Sequence, residues 1–281
     1  MTTERPVSAT QETTQTTVHV LHTGAVNIDR ALAFREQSLH PMPYTGWLRP
    51  KSKRMWAPVS AYLIDHPEGP VLVDAGWHSD VRTDQRGHLG FLSSTMYWGR
   101  LPAGQAVHEQ LASLGVRPED LEYVVMSHLH SDHASGLEHV RDAKHIVVST
   151  PEWDARTDFG YIPSMWDGID VTPFDLAEIP FGPFKQGLDL FGDGLVYLVF
   201  TPGHSAGHVS VLTKTGAGWV LLAGDVGYAA KSWEDGILPG VTTDDRDMHA
   251  SLTWVKDFAA RDDCVAAFAN HDPDVTPTTI G

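Results

Sequence analysis

Short apolar runs recur along the chain, and several end abruptly in His or Asp. Tyr123-Val124-Val125-Met126 leads into Ser127-His128, and Leu195 to Phe200 leads into Thr201-Pro202-Gly203-His204. Trp219 to Ala223 leads into Gly224-Asp225, and Cys264 to Ala269 into Asn270-His271-Asp272. Runs this short, rich in β-branched and aromatic residues and closed by turn formers, predict strands. Val18 to Thr23 reads as an opening or edge strand. Val59 to Asp65 and Pro70 to Asp74 predict a hairpin around Pro67-Glu68-Gly69, and His208 to Thr213 with Trp219 to Leu222 predict another across Gly216-Ala217-Gly218. His145 to Ser149 reads as a strand that feeds a helix starting at Thr150-Pro151-Glu152, with Pro in its first turn. Val107, Leu111 and Leu114 keep helical spacing within 103–114, and Gly115 suits the stop. Met248, Leu252 and Val255 mark a late helix. Residues 24–57, with Pro41, Pro43 and Pro50, predict a loop. The alternation of strands and helices is that of an α/β protein.

Composition adds bounds to this picture. The chain has 281 residues and 42% hydrophobic content, enough for a sizeable core. No stretch approaches the ~18 consecutive apolar residues of a membrane span. Residues 1–17 are polar, without the apolar segment of a secretory signal, and read as a flexible tail preceding one domain over 18–281. The single cysteine, Cys264, excludes an internal disulfide and suits a reducing, cytoplasmic compartment. It opens an apolar run, so a buried structural thiol is expected. The formal charge of −16 repels phosphate backbones and argues against nucleic-acid partners.

The chemistry concentrates in His128-Leu129-His130-Ser131-Asp132-His133. Three imidazoles and a carboxylate so close together match the donors that first-row transition metals take. A polar, His-rich turn is the bland alternative. His204, Asp225 and His271 weigh against it, because each follows a predicted strand. In layered α/β proteins such positions share one rim, where sites are built.

With these motifs assembled, the chain resembles the metallo-β-lactamase superfamily, and within it the N-acyl-homoserine lactonases. The likeness spans Val18 to Asp272 and includes Gly69 to Gly76, the His128–His133 motif, Thr201 to His208 and Ala223 to Tyr228. It implies an αββα metallo-β-lactamase sandwich, two mixed β-sheets flanked by helices. It implies two divalent metal ions, with zinc first and cobalt, manganese or iron open. His128, His130 and His204 would hold one, Asp132, His133 and His271 the other, and Asp225 would bridge them. The implied activity is a hydrolase that opens a lactone ring by attack of a metal-bridging hydroxide, with a small-molecule lactone as partner and a homodimer compatible. Asp132 would also handle a proton, or serve as ligand alone. Tyr228 matches the tyrosine that such lactonases place beside the bound ester, where it would stabilise the oxyanion. Asp74 resembles an aspartate that braces the metal loop, although an Asp-Ala-Gly turn would read the same.

The resemblance leaves alternatives. Another ester or lactone would suit the same donors, as would an iron-dependent dioxygenase or a non-catalytic signal-binding protein. Ser131 stands where the best-known lactonases carry a bulky aromatic, which enlarges or wets the pocket. Two aromatic stretches, 151–187 and the patch of Phe91, Met96, Tyr97 and Trp98, would line an acyl groove or serve as ordinary core.

Overall fold

The computed structural model describes residues 15–281. Most of the tail expected over 1–17 therefore lies outside the described residues. Its last part does not behave as a tail: Thr16 is buried, and its hydroxyl meets that of Thr213 at 2.6 Å.

Two sheets face each other. The first contains β1 (Thr17–Asp29), β2 (Arg54–Asp65), β3 (Val71–Val73), β4 (Trp98–Arg100), β5 (Tyr123–Val125), β6 (His145–Ser149) and β7 (Val171–Phe174). The second contains β8 (Ala177–Glu178), β9 (Gln186–Asp189), β10 (Val196–Phe200), β11 (Val209–Lys214), β12 (Trp219–Gly224) and β13 (Cys264–Ala269), while β14 (Thr279–Ile280) returns to the first. The strand orders are β14-β1-β2-β3-β5-β6-β7, with β4 added on β1, and β13-β12-β11-β10-β9-β8. Both sheets are mixed, with β3, β5, β6 and β7 parallel in one and β12 and β13 parallel in the other.

The period of two along each strand sorts side chains into three cores. Between the sheets lie Val18, Val20, Tyr62, Ile64, Val71, Val73 and Val125, packed with Val196, Leu198, Val209, Val211, Val220 and Leu222. The alternate residues Leu63, Leu72 and Val124 face outward and meet Val107 and Leu111 of the helix Val107–Ser113. On the other side Val199, Leu212 and Leu221 meet Met248, Leu252, Val255 and Phe258 of the helix Asp245–Ala259. The layers are those of the expected αββα sandwich. Asp244 starts the long helix by accepting from the Asp247 backbone N–H at 2.9 Å, an ordinary N-cap.

The predicted hairpins form, with Tyr62 opposite Val73 and Leu212 opposite Leu221. The expectation for the start of the chain needs correction. β1 is not an edge: it runs to Asp29 between β2 and β14, so the predicted loop begins and ends in strand. Ala25 to Asp29 pair with Pro58 back to Arg54 after an irregularity between His22 and Ala25. Pro58 is tolerated there because the ladder is already interrupted. Cys264 is half-buried rather than buried, bonds the Ala266 carbonyl, and is raised in pKa by burial, which keeps it an inert thiol. Among the described residues no helix is long and apolar enough to cross a membrane.

Truncation of the inter-sheet core gives a direct test. Leu198→Ala is expected to cost about 3 kcal/mol in urea unfolding, whereas a loss under about 1 kcal/mol would mean that the layers are not tightly packed.

Candidate metal centre

The strand ends converge at the rim between the sheets. β5 delivers His128, β10 delivers His204, β12 delivers Asp225 and β13 delivers His271. His130, Asp132 and His133 come from the turn after β5, where Ser131–Ala134 forms a single helical turn. His128, His130 and His204 offer donor atoms to one point, Asp132, His133 and His271 to another, and Asp225 joins His128 and His133 between them.

Most of the separations suit donor atoms that face a common point better than they suit mutual hydrogen bonds. His130 Nδ1 and His204 Nε2 face each other at 2.9 Å. Asp225 Oδ2 lies 3.4 Å from His204 Nε2, while Asp225 Oδ1 lies 3.4 Å from His133 Nε2 and 3.3 Å from His271 Nε2. Asp132 Oδ2 lies 3.4 Å from His271 Nε2. Each carboxylate separation exceeds normal N–H···O distances. His128 Nε2, His133 Nε2, His271 Nε2 and Asp225 Oδ1 are buried without a hydrogen-bond partner among the described residues. Leaving that many polar atoms unpaired is costly, and divalent cations would satisfy them together. The donor set therefore fits two metal ions.

The outer nitrogens of three imidazoles are held, which fixes which nitrogen faces inward. His133 Nδ1 meets Asp74 Oδ2 at 2.8 Å, and His271 Nδ1 meets the Pro58 carbonyl at 2.8 Å. His128 Nδ1 bonds Ser127 Oγ at 3.0 Å, and that hydroxyl donates to Asp74 Oδ2 at 2.8 Å. Asp74 Oδ1 also accepts from the Ser127 backbone at 2.8 Å. Asp74 thus acts on both backbone and imidazole, as the resemblance implied. It does so at φ 60, a left-handed conformation that Asp tolerates better than most residues other than Gly.

Three supporting residues escaped the sequence reading. Glu152 is fully buried and accepts four hydrogen bonds. Leu129 N at 2.9 Å and Tyr161 Oη at 2.8 Å reach Oε1, and Ser205 Oγ at 2.6 Å and Gly207 N at 2.9 Å reach Oε2. One carboxylate therefore ties the His128–His130 turn to the loop that carries His204. Gly207 has no alternative, since a Cβ there would strike the Glu152 backbone. His208 Nε2 accepts from the Asp225 backbone at 3.0 Å while Nδ1 meets Thr201 Oγ1 at 3.0 Å, so it braces the bridge and is not itself a donor to it. Asn270 Nδ2 donates to the Ser60 carbonyl at 3.0 Å and lies 3.1 Å from His133 Nδ1. A helix-start glutamate reads from sequence as solvent-facing, and only the Ser149-Thr150-Pro151-Glu152 capping pattern hints that its position is fixed.

The electrostatics favour metal donors. Burial, with neighbouring imidazoles adding to it, holds His128 well below its usual range; burial also lowers His130 and His204, so all three are neutral lone-pair donors. Burial would lower His133 and His271 as well, but the carboxylates, Asp225 foremost, outweigh it and raise both. Burial would raise Asp225, yet His271 and His133 hold it well below the carboxylate range, hence ionised. Burial first, then Asp225 and Asp132, pushes the Tyr228 phenol well upward, so it stays protonated. The Tyr228 ring stacks on His271 at 4.9 Å.

A cavity of about 310 Å³ opens over these donors. His130, Asp132, His204, Asp225 and Tyr228 line its base, and Val26, Ile28, Leu32, Met96 and Phe159 give it apolar walls. Of the aromatic stretches, Tyr97, Phe159 and Tyr161 reach the cavity, whereas Trp166 is core and Phe181 packs on Tyr197 and Trp219. A second group, His78, Asp80 and His88, lies elsewhere. Its nitrogens are already engaged, His78 Nδ1 with the Asp80 backbone at 3.1 Å and His88 Nε2 with Ser135 Oγ at 2.6 Å. It lacks the unpaired donors that mark the rim.

A sandwich of two mixed sheets with a His and Asp rim at the strand ends defines a class of metal-binding hydrolase folds, and the wider comparison agrees. Residues 54–267 match the profile of the Metallo-beta-lactamase superfamily, and the chain belongs to that superfamily. It is 34% identical over 230 residues to the N-acyl homoserine lactonase AttM of Rhizobium radiobacter, covering 77% of this chain and 82% of that one. It is 28% identical over 222 residues to an N-acyl homoserine lactonase of Bacillus cereus, covering 76% and 81%. A crystal structure of an N-acyl homoserine lactone hydrolase with N-hexanoyl-L-homoserine bound at its catalytic metal center superposes with a TM-score of 0.75. That match has 23% identity and covers 93% of this chain and 95% of that one. AidC, a dizinc quorum-quenching lactonase, shares the fold at a TM-score of 0.63 and 16% identity, over 93% and 89% of the chains.

Two outcomes follow. Glu152→Gln keeps the side-chain shape but turns one acceptor into a donor that faces other donors. It is expected to lower metal affinity by about 10- to 100-fold, read by chelator competition with metal analysis. Unchanged retention would reduce Glu152 to a space filler. The second outcome concerns pH. His22, His88, His108, His128, His130, His139, His204 and His208 are depressed in the folded chain, all with burial as the leading cause, His139 to about 3 and His208 to about 4, whereas only His133 and His271 are raised. Depressed groups stabilise fully above their unfolded pKa and lose that contribution as pH falls through about 6.5 and below. The two raised groups act in the opposite sense and are outnumbered. The metal-free protein is therefore expected to lose stability steadily from about pH 6.5 to about pH 5 in urea titrations, before most carboxylates protonate. A flat profile over that window would contradict the burial-driven depression.

Proposed function

We propose that this chain is a metal-dependent hydrolase that opens the ring of N-acyl homoserine lactones. The observation that carries the reading is the convergence of seven metal-type donors beneath an apolar cavity, with a protonated phenol at its base. The curated relatives that bear this activity in their names support it.

In this reading His128, His130 and His204 would hold one ion and Asp132, His133 and His271 the second, and Asp225 directs one oxygen to each group. Imidazole and carboxylate donors suit zinc. Two such ions, when bound, supply Lewis acidity toward an ester carbonyl and lower the pKa of water. The protein's own residues do the rest. Tyr228 donates a hydrogen bond to the carbonyl oxygen as negative charge gathers there. Asp132 has its Oδ2 near His271 Nε2 and also lines the cavity, and these two facts support it as the carboxylate that would pass a proton to the departing ring oxygen. Water adds across the ring C–O bond, giving a carboxylate, a hydroxyl group and one released proton. The apolar walls take the acyl chain. The lone cysteine fits a cytoplasmic setting.

A pH-indicator assay over lactones of varied ring and chain reads the released proton directly. His204→Ala is expected to abolish turnover, and Tyr228→Phe to lower kcat by about 100-fold. A His204→Ala protein as fast as the parent would remove this site from the reaction, and an unchanged kcat in Tyr228→Phe would remove the phenol.

A further inference from the structure

Five hydroxyl-bearing side chains besides Tyr228 line the cavity: Tyr44, Tyr97, Ser131, Tyr161 and Thr243. Tyr161 donates to Glu152 Oε1 at 2.8 Å, and Thr243 Oγ1 donates to the Gly203 carbonyl at 3.1 Å, so both are spent inside the protein. Ser131 and Tyr97 are arranged otherwise. Ser131 is buried between His130 and Asp132, and its Oγ donates to Tyr97 Oη at 2.9 Å. A serine hydroxyl has one hydrogen and two lone pairs, and a phenol has one hydrogen and acceptor capacity. With the serine hydrogen given to the phenol, Ser131 keeps a free lone pair and Tyr97 keeps its own hydrogen. The pair therefore offers the cavity one acceptor beside one donor.

That is the complement of a secondary amide, whose N–H needs an acceptor and whose C=O needs a donor. The apolar lining side chains Val26, Ile28, Leu32 and Met96 offer neither, and Tyr44 and Asp158 bring single polar groups rather than a donor bonded beside an acceptor. We infer that Ser131 and Tyr97 together form the specificity element that selects lactones carrying an exocyclic acylamino group over unsubstituted lactones. The inference rests on the lactonase reading and deepens it. Ser131 lies one residue from a metal donor on each side, so the pair stands beside the reacting ring and within reach of a substituent on the adjacent carbon. A chain attached through that amide continues along Met96 and Phe159, which also line a second cavity of about 350 Å³. Sites built to hydrogen-bond a substrate group discriminate strongly against analogues that lack it, because their own polar atoms are then left unpaired.

The test compares kcat/KM for N-hexanoyl homoserine lactone with that for unsubstituted γ-butyrolactone in the metal-loaded enzyme. Tyr97→Phe is expected to lower the ratio of the two values by about tenfold, mainly through a higher KM for the acylamino lactone, the worth of one good hydrogen bond. Ser131→Ala is expected to shift the ratio in the same direction. Tyr44→Phe, a lining phenol outside the pair, is the control and is expected to leave the ratio in place. An unchanged ratio in Tyr97→Phe overturns the inference, and so does a fall seen in Tyr44→Phe instead. A loss of both activities in equal proportion, with metal content also reduced, overturns it by making Tyr97 a support of the metal loop. A parent enzyme that hydrolyses neither lactone overturns the lactonase reading itself, a result that no variant ratio can imitate.

Discussion

The structure depends on holding seven electron-rich side chains with their donor atoms turned toward one another. Left alone, such an arrangement is unfavourable: lone pairs repel, buried acceptors go unpaired, and burial drives His128, His130 and His204 neutral. Divalent cations would reverse the sign of every one of those costs. Until they do, the arrangement has to be enforced from behind, and two buried carboxylates do most of that. Asp74 binds the backbone at Ser127, the Ser127 hydroxyl and His133 Nδ1. Glu152 binds Leu129, Ser205, Gly207 and Tyr161. The first fixes the turn to the sheet beneath it, and the second fixes the turn to the opposite loop. Each carboxylate accepts several N–H or O–H donors, the condition under which a buried negative charge is tolerated.

The site was more legible in the sequence than the fold around it. Each donor outside the His128–His133 turn follows an apolar run, and strand-end positions are where local pattern and tertiary location coincide. His204, Asp225 and His271 could be grouped for that reason before any coordinates, although they lie far apart in the chain. The three cores were legible for a similar reason. In Tyr62-Leu63-Ile64 and Val71-Leu72-Val73 alternate residues face opposite layers, so a continuous apolar run signals a strand covered on both faces.

What failed did so where local pattern and long-range pairing diverge. The second half of β1 and the first half of β2 looked like loop because prolines lie between them and Pro58 lies within the pairing. Their strand character comes from each other, across a connection that no window of sequence spans. Glu152 was invisible for the complementary reason. Its local role, an acid in the first turn of a helix, is complete in itself, and three of its four partners come from two distant loops. The aromatic stretch 151–187 divided by geometry that composition does not encode. Phe159 and Tyr161 turned to the cavity, while Trp166 and Phe181 entered the cores.

Ser131 is where the two halves of the site meet. It belongs to the turn that carries the metal donors, and it also forms part of the cavity wall. Read alone it suggested an enlarged or wetter pocket. The structure shows that Tyr97, from a segment more than thirty residues earlier, reaches its hydroxyl at 2.9 Å. The turn must keep its backbone geometry for the clustered donors, which Asp74 and Glu152 enforce, whereas the buried Ser131 side chain bonds Tyr97 and neither of those carboxylates. The wall can therefore present different chemistry to the substrate without altering the centre beneath it. This separation is why the clustered donors speak for the class of reaction, while a choice among lactones would be made in the wall, at Ser131 and Tyr97.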